Sequence, residues 1–121
     1  MERTRFTEHR GKRILLFDYS GITNPDEALR EIEHSKEVVR QHPPKSLLIL
    51  TNVRDARYNA AVLQAMKELA RHDEPYVKAS AVVGMGGLHR IAYQAVILFS
   101  KRNIQVFAEE AAALDWLAQQ D

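Results

Sequence analysis

The sequence predicts an α/β domain in which four βα units wind as a right-handed superhelix around a mainly parallel sheet, with an antiparallel strand at the N-terminal edge. Two observations lead to this class. Short apolar runs alternate with longer segments whose apolar residues recur every three or four positions. In addition, a glycine-broken turn joins the β-branched run Val77–Val83 to a long apolar helical pattern, Leu88–Phe99. Such turns lie at the carboxyl edge of a parallel sheet, where open α/β proteins place their ligands.

Length and composition limit the class of protein. The 121 residues fit a single domain, residues 1–121, with one hydrophobic core. A formal net charge of +1 gives no field of the kind that dedicated nucleic-acid-binding domains carry, so we expect no nucleic-acid partner. Because the chain has no cysteine, disulfides, thiolate nucleophiles and cysteine-ligated zinc are excluded. The charged N-terminus and the lack of a transmembrane run of about 20 apolar residues favour a cytoplasmic protein.

The N-terminal part of the chain predicts a hairpin followed by a helix. The polar loop His9–Lys12 separates a strand over Thr4–Glu8 from a strand over Arg13–Tyr19, whose two faces are both largely apolar. Asn24 is followed by a proline and two acids, which is a typical helix start. The prolines Pro43-Pro44 end that helix.

The rest of the chain continues the alternation of strands and helices. Leu47–Leu50 is fully apolar and predicts a central parallel strand, and Asn59 caps the helix that follows. A strand over Val77–Val83, a helix, and a short strand over Ile104–Phe107 come next. Glu109-Glu110 then opens a terminal helix, with both acids placed for the helix dipole.

Polar residues alternate with apolar ones in the later strands. Lys78, Ser80 and Gln105 each stand between apolar neighbours. Since successive side chains of a strand point to opposite faces, we expect part of one sheet face to meet water or a partner instead of a helix.

Three segments resemble the small bacterial SpoIIAA-like proteins: Pro75–Gly84, Lys101–Asn103 before a short strand, and the ending from Phe107–Ala111 to Asp115–Leu117. These proteins are similar to STAS domains and, more distantly, to the CRAL-TRIO lipid-transfer domains. The resemblance spans about Gly11–Leu117. It implies four βα turns plus an edge strand, and a non-enzymatic, interaction-type role.

The STAS resemblance also directs attention to one loop. Anti-sigma-factor antagonists of the STAS group carry an Asp-Ser-Ser-Gly-like motif at the start of the second helix, where a serine is phosphorylated to switch partner binding. The matching stretch here, Asn52–Asn59, contains no serine or threonine. The phosphorylation switch is therefore not expected in this chain.

The carboxyl ends of the predicted strands bring polar loops to one rim of the sheet. The glycines after Val83 place free backbone N–H groups at a helix start, a geometry suited to a phosphate or carboxylate. The alternative is that these glycines only permit a tight turn and close packing of strand on helix. The candidate ligand-binding residues of the rim are Asn52, Asp55, Arg57, Gly84, Gly86, Gly87, His89 and Arg90.

Other polar residues give weaker signals. Asp18 lies on an apolar strand face, where an acid most often ties down the next loop by hydrogen bonds. The five histidines lack zinc-ligand spacing, so no metal is predicted. No second poised group accompanies Asp18, so neither a catalytic residue nor a cofactor is predicted.

Two surface features remain open in the sequence. A basic cluster, Arg10, Lys12 and Arg13, with Arg3 and Arg5 nearby, is interpreted as a solvated edge that resists aggregation. Val96 and Ile97 extend the apolar helix Leu88–Phe99 beyond one stripe and leave room for a subunit or a lipid-like ligand.

These observations favour a non-catalytic, STAS-like binding or regulatory module that acts through contact with a protein partner or by self-association as a dimer. The alternative is a carrier or sensor of a small acyl, lipid-like or anionic metabolite held at the rim.

Overall fold

The described strands form one sheet. The computed structural model describes residues 2–57, 59–86 and 104–120. Within these ranges the sheet has five strands in sequential order: β1 (Thr4–His9), β2 (Lys12–Asp18), β3 (Leu47–Asn52), β4 (Val77–Val83) and β5 (Ile104–Phe107). β1 pairs antiparallel with β2, and every later pair is parallel. The predicted parallel sheet with an antiparallel N-terminal edge strand is thereby confirmed.

Helices cover both faces of this sheet. α1 (Pro25–Arg40) and α2 (Ala60–Asp73) share a core with one face, and α3 (Glu110–Ala118) packs on the other. A short 3₁₀ turn, Glu74–Tyr76, leads from α2 into β4. The helix predicted over Leu88–Phe99 lies outside the described residues.

Two asparagine caps begin α1 and α2. The Asn24 side chain accepts hydrogen bonds from the backbone N–H groups of Asp26 and Glu27, at 2.8 and 3.2 Å. The Asn59 side chain likewise accepts from the backbone N–H of Val62 at 2.8 Å. Each cap satisfies donors that the first helical turn leaves unpaired, so both predicted starts are confirmed.

The core has two layers because the central strands are apolar on both faces. In β2, Leu15 and Phe17 point toward α1 and α2, whereas Ile14 and Leu16 point toward α3. This alternation is the one predicted for β2. The layer under α3 is completed by residues of three other elements: Leu48, Leu50, Ala79, Ala81, Val83, Ala113 and Leu117.

One register shift changes the faces of β4. Leu47 pairs with Val77, but Leu48 pairs with Ala79, so Lys78 is an extra residue that has no partner in β3. Because of this extra residue, the side chains after Lys78 lie on the sheet faces opposite to those that simple alternation from Val77 would give. Lys78 is exposed, whereas Ser80 is 3% exposed and faces α2. The prediction that Ser80 lies with Lys78 on a solvated face is therefore wrong.

The basic hairpin holds the C-terminal part of the chain. The side chains of His9 and Arg10 donate to one carboxylate oxygen of Asp115 in α3, at 2.7 and 2.9 Å. Lys12 donates to the carbonyl of Gln120 at 3.1 Å. The Arg13 guanidinium lies 3.7 Å from the centre of a phenylalanine ring in β1. Arg10 and Arg13 are exposed, as expected for a solvated edge, and the cluster has a further role that the sequence did not indicate, since it also holds α3.

Asp115 makes this docking sensitive to acid. The hydrogen bond from His9, assisted by Arg10 and partly opposed by burial, lowers the pKa of Asp115 below its usual value of 3.8. Because the pKa of Asp115 is lower in the folded state than in the unfolded chain, the ionised carboxylate stabilises the fold fully above its usual pKa of 3.8. The stabilisation is lost as the pH falls through the lower folded-state pKa.

We expect Asp115→Asn to lower the urea midpoint at neutral pH, because the neutral amide loses the charge-assisted hydrogen bonds. The difference from wild type should vanish in acid well below pH 3.8, where both side chains are uncharged. Urea titrations of both proteins at the two pH values measure this. A deficit of equal size at both pH values would contradict the assignment, and His9→Gln, made in the Asp115→Asn background, should add little further loss.

Candidate functional site

The loops that follow β3, β4 and β5 meet around an open cleft of about 440 Å³. We call it the rim cleft, and its described lining consists of Arg54, Asp55, Gly84, Met85, Gly86, Phe107 and Ala108. Its volume lies in the range of small-molecule pockets, roughly 300 to 1,000 Å³. Its position at the carboxyl ends of parallel strands is the usual position of ligand sites in open α/β sheets.

A glycine allows the first two loops to meet. Gly84 has a φ of +87°, and a Cβ atom built there would lie 2.6 Å from the backbone nitrogen of Arg54 and 2.7 Å from its Cα. No side chain fits that distance. One residue earlier, Val53 donates its N–H to the carbonyl of Val83 at 3.0 Å, which extends the β3–β4 pairing into the loops.

The loop after β3 is shaped by its own hydrogen bonds. The Asn52 side chain accepts from the N–H of Arg54 at 3.0 Å, and Ala56 donates its N–H to the carbonyl of Val53 at 3.1 Å. Asp55 adopts a left-handed conformation with φ +59°. The turn places Arg54 and Asp55 at its exposed tip.

The loop after β2 fixes the other side of this turn. Gly21 donates its N–H to the carbonyl of Arg54 at 2.8 Å, and Arg57 donates its N–H to the carbonyl of Ile22 at 3.0 Å. Arg57 therefore lies against the loop after β2. It lines a separate, nearly filled cavity of about 10 Å³ between the helices and does not line the rim cleft.

The structure brings together part of the predicted site. Asp55, Gly84 and Gly86 line the rim cleft, as expected from their places at the strand ends. Asn52 is used within its own loop, and Arg57 points elsewhere. The remaining predicted residues lie outside the described ranges: Gly87, His89 and Arg90.

Sequence reasoning did not single out four lining residues: Arg54, Met85, Phe107 and Ala108. Arg54 and Met85 are neighbours of predicted residues. The expectation that ligands bind at the carboxyl ends of parallel strands identified their loops but not the two residues themselves. Phe107 is the last residue of β5, and its ring centre lies 5.7 Å from that of Trp116 in α3. Its position at the end of a parallel strand was the available signal.

The rim cleft exposes hydrogen-bond donors. Within the described ranges, the backbone N–H groups of Asp55, Met85 and Gly86 make no hydrogen bond, and the Arg54 guanidinium forms no ion pair. The half-buried side chains of Met85 and Phe107 also line the cleft, Met85 packing against the core layer under α1 and α2 and Phe107 against the layer under α3. The cleft thus combines hydrogen-bond donors with apolar surface.

Asp18 serves the scaffold instead of the cleft. Its Oδ1 accepts hydrogen bonds from the N–H and the hydroxyl of Ser20, and it lies 4.0 Å from the Arg3 guanidinium. Arg3 also donates to the carbonyl of Ser20 at 2.9 Å. This confirms that Asp18 ties down the loop that follows β2.

The described residues contain neither a metal-binding cluster nor a membrane-spanning helix. In the described part of the chain, no three histidine, aspartate or glutamate side chains come together in a way that would hold a metal ion. No helix among the described residues combines the length and apolarity needed to cross a membrane.

Comparison with solved structures identifies the fold. The chain superposes with a TM-score of 0.74 on an uncharacterised protein of the DUF3478 family with a SpoIIAA-like fold, from Shewanella loihica PV-4. The match covers 94% of this chain and 91% of that chain at 16% sequence identity. The fold is SpoIIAA-like. The resemblance expected from the sequence is thereby confirmed at the level of the SpoIIAA-like fold, which at this identity brings no function with it.

No protein-family model matches the chain, and no curated protein is significantly similar to it in sequence.

Two glycine variants separate the cost of the left-handed backbone conformation from the cost of the close contact with Arg54. We expect Gly84→Ala to cost roughly 2 to 5 kcal/mol of folding free energy, from about 1–2 kcal/mol of left-handed strain and about 1–3 kcal/mol of overlap with Arg54. Gly11→Ala, at φ +78° with nothing within 4 Å, should cost the strain alone. Urea unfolding measures both. Equal losses in the two variants would show that Gly84 makes no close contact.

Proposed function

We propose that this protein is a non-catalytic binding module, and that it holds a small ligand in the rim cleft as a carrier or sensor. The observation that supports the proposal is the cleft itself, because three strand-end loops converge on one concave space with both donors and apolar wall. Rigid strands fix the ends of these loops, and binding residues are commonly carried on loops positioned in this way.

The side chains of the cleft support binding over catalysis. Its described lining contains two ionisable side chains, Arg54 and Asp55. The guanidinium offers hydrogen-bond donors and no acceptor, which suits binding and not general acid or base catalysis. General acid and base catalysis needs a second poised group beside Asp55, and the described lining provides none.

The second candidate function is contact with a protein partner or a second copy of the chain. It is favoured by β5, which lies at one edge of the described sheet and carries no charged residue. The opposite edge, β1, is protected by charges such as Arg5 and Glu8. Unprotected edge strands can pair with another chain. Native mass spectrometry of the purified protein separates the candidates, because a stable dimer and a small adduct differ in mass.

The proposal predicts where small molecules bind. In a fragment screen followed by ¹⁵N NMR, hits should shift the amide signals of Asp55, Gly84, Gly86 and Phe107, because these residues surround the cleft. Arg54→Ala should weaken such hits, whereas the matched variant Arg57→Ala should not, since Arg57 lies outside the cleft. A screen in which no fragment shifts these signals would reject the proposal.

A further inference from the structure

The chemistry of the rim cleft narrows the class of ligand. We infer that the cleft takes a small anion that carries an apolar group, with its phosphate or carboxylate held at the loops after β3 and β4. The apolar group lies against Phe107 and Met85. This inference rests on the proposed function, because it assumes that the cleft is a binding site.

Backbone donors define the anion end. Asp55 and Gly84 adopt left-handed conformations, with φ values of +59° and +87°, in two loops that touch each other. In the loop after β3 the N–H groups of Arg54 and Ala56 are used within the loop, so the donor left there is that of Asp55. Met85 and Gly86 add two consecutive N–H groups from the loop after β4, and backbone N–H groups gathered in turns bind anions. The N–H groups of Asp55, Met85 and Gly86 have no partner within the described ranges.

Arg54 adds a charged donor at the same end. Its side chain is exposed, and no carboxylate of the described chain pairs with it. Its backbone is fixed by contacts with Asn52, Gly21 and Gly84, so the side chain extends from a Cα in a defined position. A planar guanidinium binds phosphate or carboxylate oxygens through two parallel hydrogen bonds.

Apolar side chains define the other end. Phe107 is half-buried and tilted against Trp116, with an angle of 46° between the rings. Ala108 and Met85 also line the cleft, and Met85 packs against the core layer under α1 and α2. A thioether and an aromatic ring present an adaptable apolar surface, which suits a short acyl or aromatic group better than a hydrated ion.

The charge of Asp55 allows a test of whether the ligand is an anion or a cation. Its carboxylate stands at the tip of the turn beside the anion end and repels a bound anion. Removing that charge should therefore tighten the binding of anions and leave neutral ligands unaffected. A site for cations would respond in the opposite direction.

The experiment titrates the full chain with phenyl phosphate, inorganic phosphate and neutral benzyl alcohol, and follows the rim-cleft amides by NMR. Phenyl phosphate should bind most tightly, since it satisfies both ends of the cleft. Arg54→Gln should weaken it about tenfold, Asp55→Asn should tighten it roughly three- to fivefold, and the matched variant Arg57→Gln should leave it unchanged.

A second open cleft supplies an internal control. It is lined by Glu2, Arg3, Glu27, Glu31 and His34, and its three carboxylates disfavour anions. Amide signals there should stay in place when phenyl phosphate is added.

The outcomes distinguish the two proposals. Benzyl alcohol binding as tightly as phenyl phosphate, or Arg54→Gln binding phenyl phosphate like wild type, would overturn the anion assignment and leave the binding function standing. If none of the three probes and no fragment shifts the rim-cleft amides, the binding function fails as well.

Discussion

The close approach of Gly84 to the backbone of Arg54 is the constraint on which the rim cleft depends. Parallel pairing of β3 with β4 brings the two strand ends to the same edge, but pairing alone leaves the loops free to diverge. They stay together because a residue without a side chain, at φ +87°, lets the backbones touch where a Cβ would lie 2.6 Å from a nitrogen. Residues of both loops therefore line one cleft.

The packing of α3 on the sheet also supports the rim cleft. α3 buries Ala113 and Leu117 against the central strands, and its Asp115 is held by the hairpin through His9. Because α3 begins only a few residues after β5, its docking also fixes Phe107, whose ring packs on Trp116. Phe107 is therefore an extension of the core layer under α3, and contacts far from the cleft in sequence keep its ring in place.

Local signals predicted the fold, whereas contacts between distant residues decided the site. Asparagine caps and apolar runs act within a few residues, so helix starts such as Asn24 and the central strands were readable from the sequence. The register shift at Lys78 was not, because it is defined by the partner strand. Whether Arg54 or Arg57 lines the rim cleft depends on the left-handed conformation of Asp55 and on hydrogen bonds to the loop after β2. Neither feature can be read from the residue types of the loop.

The most direct measurement is a nuclear Overhauser spectrum of the unmodified protein, which observes the Gly84–Arg54 contact without a substitution. The contact predicts cross-peaks between the α proton of Gly84 that stands in the Cβ direction and the backbone protons of Arg54, because a group added there would lie 2.6 Å from the Arg54 nitrogen and 2.7 Å from its Cα. Assigned spectra that lack these cross-peaks, while showing the β3–β4 contacts such as Asn52 with Val83, would contradict the contact, because the strands would then pair without joining their loops.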